Sequence, residues 1–158
     1  MIKKFRFLLP GFNVRPIEME GAIGSIQLQK ANDFIAIRRN NAEIFKSYVS
    51  KLTGSKSQKE NGFCTWFGHS IIFPEEFKER DQLAAFLMDR GIETRPIISG
   101  NFLNQPSCKL YKFHFRKKDF RVSQEIEDRG FFIGLPTKDM CLNTLNFLIE
   151  KLLKIANY

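Results

Sequence analysis

The sequence is poor in the residues that carry the commonest kinds of catalysis. There are two histidines, His69 and His114, and three cysteines, Cys64, Cys108 and Cys141, far apart and odd in number with no C-x-x-C pair. That spacing excludes a disulfide framework and a zinc site, and it reads as reduced thiols of a cytosolic protein. No apolar run approaches the ~20 residues that a membrane span needs. The N-terminal Lys3-Lys4-Phe5-Arg6-Phe7-Leu8-Leu9 is basic and then apolar, but Pro10-Gly11 stops it too soon for a signal peptide. A Gly-rich phosphate loop, a nucleophile elbow, a paired-ligand spacing, an internal repeat and a low-complexity tract are all missing. A lone histidine inside an aromatic strand pattern, as His69 is, reads as structural.

What the chain has is charge and helical periodicity. Its 158 residues are 43% hydrophobic, enough for one domain with a real core, and carry a net charge of +8. Residues 1–60 hold 11 Lys/Arg against 5 Asp/Glu and residues 61–158 hold 14 against 12, so the excess lies in the first third. Such a surface suits nucleic acid, a phosphorylated small molecule or an acidic protein. Without a helix-turn-helix, zinc-finger or RNP-type motif, nucleic acid is the weakest of the three.

The basic third is organised around residues 8–39. Pro10-Gly11-Phe12-Asn13-Val14-Arg15-Pro16 is turn-rich, and Pro16 suits the first turn of a helix because its missing N–H has no intrahelical partner there. Asn13 and Arg15 then sit just before a helix N-terminus, a place that favours phosphate or carboxylate. Met19, Ala22, Ile23 and Ile26 repeat at i, i+3, i+4, i+7. Gly21 and Gly24 interrupt the run at about 1 kcal/mol each, a spacing that suggests close approach of another backbone, inside the domain or from a partner. Ala42, Phe45, Tyr48, Val49 and Leu52 continue a buried side, as one long helix or as two with a kink.

Residues 53–61 read as a loop and 63–73, aromatic and β-branched, as a strand. Asp81 is a candidate N-cap for a helix carrying Leu83, Ala84, Leu87 and Met88 and ending at Gly91. Residues 92–98 predict a strand, on an edge or cut short because of Pro96. Residues 99–106 form a loop of the kind that carries ligand contacts. A helix over 119–129, a short strand at 131–133 and a final helix lined by Leu142, Leu145, Leu148, Ile149, Leu152 and Leu153 complete the order. The pattern is α+β, with helices packed on one face of a small sheet. We expect one domain over 1–158: an irregular lead-in at 1–15, helix over 16–52 and a small α+β part at 62–158.

Several of these segments together resemble the C-terminal part of the DegT/DnrJ/EryC1/StrS family of pyridoxal-phosphate-dependent sugar aminotransferases. Gly11-Phe12-Asn13-Val14-Arg15 looks like that family's G-[YF]-N-x-R segment. Glu18, Ala22-Ile23-Gly24, Gln27-Leu28, Arg38-Arg39, Gly91-Ile92-Glu93-Thr94-Arg95-Pro96 and Leu135-Pro136-Thr137 follow in order. The version at 95–102 is similar to the lipopolysaccharide branch, which includes sugar-nucleotide 3-dehydrases. The resemblance implies a small, mostly antiparallel sheet preceded by a long N-terminal helix, as in the C-terminal domain of a fold-type I enzyme. It implies that Asn13 hydrogen-bonds the pyridoxal phosphate (PLP) of a neighbouring subunit. Arg15, Arg95, Ser99, Gly100, Asn101 and Phe102 would then face a sugar-nucleotide substrate. In the family the cofactor domain, with its Schiff-base lysine or replacing histidine, precedes the G-[YF]-N-x-R segment. No lysine here lies in that motif, so no residue is assigned as catalytic. The expectation is a chain that binds no PLP and is inactive alone, working as a homo-oligomer or with a large-domain partner. The competing expectation is a stand-alone basic module whose glycine-notched helix binds a partner protein or polyanion.

Overall fold

The computed structural model describes residues 6–12, 17–112, 114–138, 146 and 150. The helical run after position 16 is two helices, α1 (Glu18–Leu28) and α2 (Ala31–Val49), separated by a turn at Gln29 and Lys30. They are followed by β1 (Lys56–Ser57), β2 (Gly68–Ile72), α3 (Arg80–Met88), β3 (Thr94–Arg95), three 3-10 turns, α4 (Arg121–Arg129) and β4 (Gly130–Gly134). The strands form one antiparallel sheet in the order β1-β2-β4-β3. The α+β class expected from the sequence stands. The expected final helix and its leucine stripe lie outside the described residues.

Side chains alternate across a strand, so the register assigns the two faces of the sheet. His69 pairs with Ile133, which pairs with Thr94, and Ile71 pairs with Phe131. All five are buried, and they form the face that α2 and α3 cover with Ala42, Phe45, Val49, Leu83 and Leu87. Ser70, Phe132 and Arg95 align on the opposite face. Burying a side chain the size of Phe45 stabilises the fold by roughly 1.5–3 kcal/mol, and the cluster contains Trp66, Phe73 and Phe131 as well.

The predicted strand at 63–73 shortens to Gly68–Ile72 for a local reason. Trp66 adopts φ +53, outside the strand region, and this turn sends its indole into the core, where it is wholly buried. The strand predicted over 92–98 shortens to two residues. Pro96 offers no N–H to the ladder, and β3 is an edge strand. Gly91 ends α3 in the left-handed region at φ +76, with the Ile92 N–H reaching back to the Leu87 carbonyl at 2.9 Å. Glu79, not Asp81, precedes the first turn of α3, and Asp81 instead pairs with Arg80 at 2.8 Å. β1 lies in the stretch read as loop, because a two-residue strand has no period to detect.

Candidate functional site

The 96–106 loop is built against α4 and has little freedom to move from it. Gly100 sits at φ +61, and a Cβ there would lie 2.7 Å from the Glu127 Cα and 2.6 Å from its Cβ, so only glycine allows this approach. Asn101 is buried. Its backbone N–H donates to Glu127 Oε2 at 3.3 Å, its Nδ2 donates to Gln124 Oε1 at 3.0 Å, and its Oδ1 accepts from the Leu103 N–H at 3.2 Å. Asn104 Nδ2 donates to the same two α4 side chains, at 2.9 Å and 2.6 Å. The Asn101 amide therefore shapes the loop. Phe102 is exposed, with its ring 6.1 Å from that of Phe7.

Gln105 ties this loop to the lead-in segment. Its Oε1 accepts from the Phe7 N–H at 3.0 Å while its Nε2 donates to the Ser99 carbonyl at 3.4 Å, and the Ser107 N–H donates to the Phe7 carbonyl at 2.9 Å. Between lead-in, loop and α4 lies a pocket of about 560 Å³, with Ser99 and Gly100 in its wall beside Arg6, Arg80 and Lys109. Arg80 is committed to Asp81 and to the Glu127 carbonyl. Arg6 and Lys109 meet no carboxylate among the described residues. Glu127 and Asp128 also line the pocket; Asp128 accepts from Gln124 at 2.9 Å. The lining suits a polyhydroxylated ligand with an anionic group: beside Ser99 it holds two cations, Arg6 and Lys109, without a counter-ion among the described residues. Arg6, Arg80 and Lys109 were not selected from the sequence. The only sign was the basic cluster at Lys3, Lys4 and Arg6, because residues this distant in sequence share no motif.

The remaining sequence-selected residues lie elsewhere. Arg95, half-exposed on β3, places Nε 3.2 Å from Glu93 Oε1 and aligns with Phe132 across the ladder. Asn13 and Arg15 lie outside the described residues. α1, just after them, already satisfies part of its own N-terminus: the Ile17 N–H donates to Glu20 Oε2 at 3.3 Å, and Glu18 and Glu20 occupy the first turn.

Two groups with shifted pKa values belong to the scaffold. His69 lies between Trp66 and Phe45, with ring centroids 5.3 and 5.2 Å away, and its Nε2 is 2.6 Å from Ser57 Oγ. Burial, reinforced by the Lys46 charge, holds its pKa down at about 4, so the ring is neutral. Glu60 accepts from the Cys64 N–H at 2.9 Å and from Arg39 at 2.8 Å, with Lys46 at 3.5 Å. Those bonds, the Cys64 one first, bring its pKa down to about 2. Glu60 thereby fastens the 60–64 loop to α2.

Comparison with known proteins agrees with the sequence. The profile of the DegT/DnrJ/EryC1/StrS aminotransferase family matches residues 2–152. GDP-4-keto-6-deoxy-D-mannose 3-dehydratase of Yersinia pseudotuberculosis is 41% identical over 133 residues, covering 84% of this chain and 34% of that protein. GDP-perosamine synthase of Escherichia coli O157:H7 is 36% identical over 127 residues, covering 80% and 32%. The solved E. coli GDP-4-keto-6-deoxy-D-mannose-3-dehydratase with bound hydrated PLP superposes with a TM-score of 0.76 at 36% identity, over 95% of this chain and 39% of that one. The chain thus spans about a third of the length of the curated relatives it matches. The relatives fall in the lipopolysaccharide branch to which residues 95–102 pointed.

Proposed function

This chain belongs to the DegT/DnrJ/EryC1/StrS aminotransferase family, and on that premise we propose that it is the C-terminal part of a PLP-dependent sugar-nucleotide dehydratase or aminotransferase. Its pathway would be cell-surface polysaccharide or lipopolysaccharide synthesis in the cytoplasm. The observation that carries this reading is the 41% identity to a GDP-sugar 3-dehydratase over 84% of the chain. The pocket supports it, since its loop is the stretch that carries the resemblance, and Arg6 and Lys109, which meet no carboxylate among the described residues, suit a phosphorylated ligand.

The described residues suit the cofactor's phosphate better than its ring, because the pocket wall includes no aromatic side chain to stack on a pyridine. Bound PLP would supply the electron sink for breaking bonds next to the sugar's carbon–nitrogen linkage. This chain's part is to bind and orient. Asn13 gives its amide to the cofactor phosphate of a neighbouring subunit. Arg15 offers a two-pronged guanidinium to substrate phosphate oxygens, which lysine cannot imitate. Because Glu18 and Glu20 already answer the helix dipole, the grip on an anion at 13–15 comes from these side chains, not from the helix end. Ser99, Gly100 and Phe102 border the sugar, Asn101 keeps their loop on α4, and Arg95 approaches from β3. Arg6 and Lys109 join them as counter-charges.

In this reading the 158 residues alone are inactive and act in a homo-oligomer or on a large-domain partner. α1 fits that role: none of its residues is buried, and Met19, Ile23, Ile26 and Leu28 are each more than half exposed. Among the described residues no helix is long and apolar enough to cross a membrane. The test is a titration with PLP. Alone, the chain should give no lasting visible absorbance band of lysine-bound cofactor; mixed with the separately expressed first two-thirds of the Yersinia dehydratase, it should restore sugar-nucleotide turnover. A persistent band from the 158 residues alone would overturn the proposal.

A further inference from the structure

We propose that Gln105 is a positioning residue: its side-chain amide clasps the lead-in segment to the 96–106 loop and so holds Arg6 in the pocket as a fixed counter-charge. The inference rests on the sugar-nucleotide reading above for the class of ligand, a phosphorylated one. It adds the residue on which the grip of Arg6 depends.

The clasp uses both ends of one amide. Gln105 Oε1 accepts from the Phe7 N–H at 3.0 Å, and Nε2 donates to the Ser99 carbonyl at 3.4 Å. An amide carries an acceptor and a donor on one carbon, so it can hold two backbone segments together. An ionised glutamate has no hydrogen to give the Ser99 carbonyl, and asparagine is one methylene shorter. Two residues on, the Ser107 N–H donates to the Phe7 carbonyl at 2.9 Å. Both backbone polar groups of Phe7 are thus taken by residues 105–107. Among the described residues, 6–12 make no other hydrogen bond. The Phe7 ring adds only a tilted contact with Phe102 at 6.1 Å, and both side chains are exposed.

The three cations of the pocket are therefore held in unequal ways. Lys109 belongs to the 3-10 turn Pro106–Leu110, anchored by the buried Ser107 and Cys108. Arg80 belongs to α3 and is bonded to Asp81 and the Glu127 carbonyl. Arg6 lies in no helix or strand and immediately precedes the clasped Phe7. Without the clasp, Arg6 would sit on a loosely tethered chain, and each binding event would have to order it. A guanidinium already held in place avoids that cost. The Phe7–Gln105 bond is exposed, so its loss weakens the fold little. The effect belongs to affinity.

The test is calorimetric titration of the 158-residue chain with inorganic pyrophosphate, alongside thermal unfolding. Gln105→Met keeps the length of the side chain without its polar ends. It should weaken pyrophosphate binding about tenfold, the worth of one charge-assisted hydrogen bond, with little change in thermal midpoint. Arg6→Gln should do the same. The two changes together should bind no more weakly than either alone, because both take the same guanidinium from the pocket. Lys109→Gln with Gln105→Met should instead multiply the two losses. Gln105→Asn, too short to span both partners, should bind as Gln105→Met does. Losses that multiply in the Arg6–Gln105 pair, unchanged affinity in Gln105→Met, or no pyrophosphate binding by wild type would overturn the clasp. The sugar-nucleotide reading fails by a different observation, the persistent PLP band of the chain alone.

Discussion

α1 and α2 follow one another in sequence and show the same apolar periodicity, yet they end in opposite surroundings. Ala42, Phe45 and Val49 of α2 are sealed against the sheet, while Ile23 and Ile26 of α1 are each 58% exposed. Gly21 and Gly24 of α1 have open space where a Cβ would be. Periodicity reports that a helix has an apolar face; it does not report which surface covers it. For α2 the cover is within these residues, and for α1 we propose that it comes from a partner domain or subunit.

The largest expected effect is on the covered side. Phe45→Ala should lower unfolding free energy by about 3–5 kcal/mol, through lost burial and the cavity left behind, as read from denaturant midpoints. If the loss were no greater than for Ile23→Ala, the contrast between the two helices would be wrong. Next comes His69, whose pKa is about 4 in the fold against an ordinary 6.5. The unfolded chain takes up the proton first, so the stabilisation is complete above pH 6.5 and declines as pH falls towards 4, by about 3 kcal/mol in all. His69→Gln should flatten stability over that window. Glu60, brought down to about 2 from 4.5, loses its contribution only below pH 4.5, so the two groups separate along the pH axis.

These effects mark how far the sequence could be read. The buried stripe of α2, the Gly91 stop and the edge position implied by Pro96 are all short-range properties, set by periodicity, φ preference or a missing N–H. The G-[YF]-N-x-R segment and residues 91–102 were enough to name the family. What escaped depends on distant residues meeting. Arg6, Arg80 and Lys109 come together only when the lead-in pairs with Gln105 and Ser107. The positive φ of Trp66 follows from the fit of its indole in the core, and the Asn101 amide, bonded to Gln124 and to the Leu103 N–H, joins the loop to α4 across more than twenty residues of sequence.

A smaller effect sharpens the picture of the site loop. Gly100→Ala should cost roughly 1–3 kcal/mol, from its left-handed φ and the contact with Glu127, and should weaken any anion held in the pocket. If stability and binding were both unchanged, the loop would not depend on α4 as described. The smallest effect on stability belongs to the open helix. Ile23→Ser with Ile26→Ser should change unfolding free energy by no more than about 0.5 kcal/mol, as exposed substitutions do, while reducing self-association, because uncovered apolar surface drives chains together.

Sedimentation of the 158-residue chain, alone and mixed with the first two-thirds of the Yersinia dehydratase, tests most directly whether α1 is a face made to be covered. We expect self-association of the chain alone, replaced by a complex with the added domain, both abolished by the double serine change in α1. A chain that stays monomeric at high concentration and ignores the added domain would contradict it.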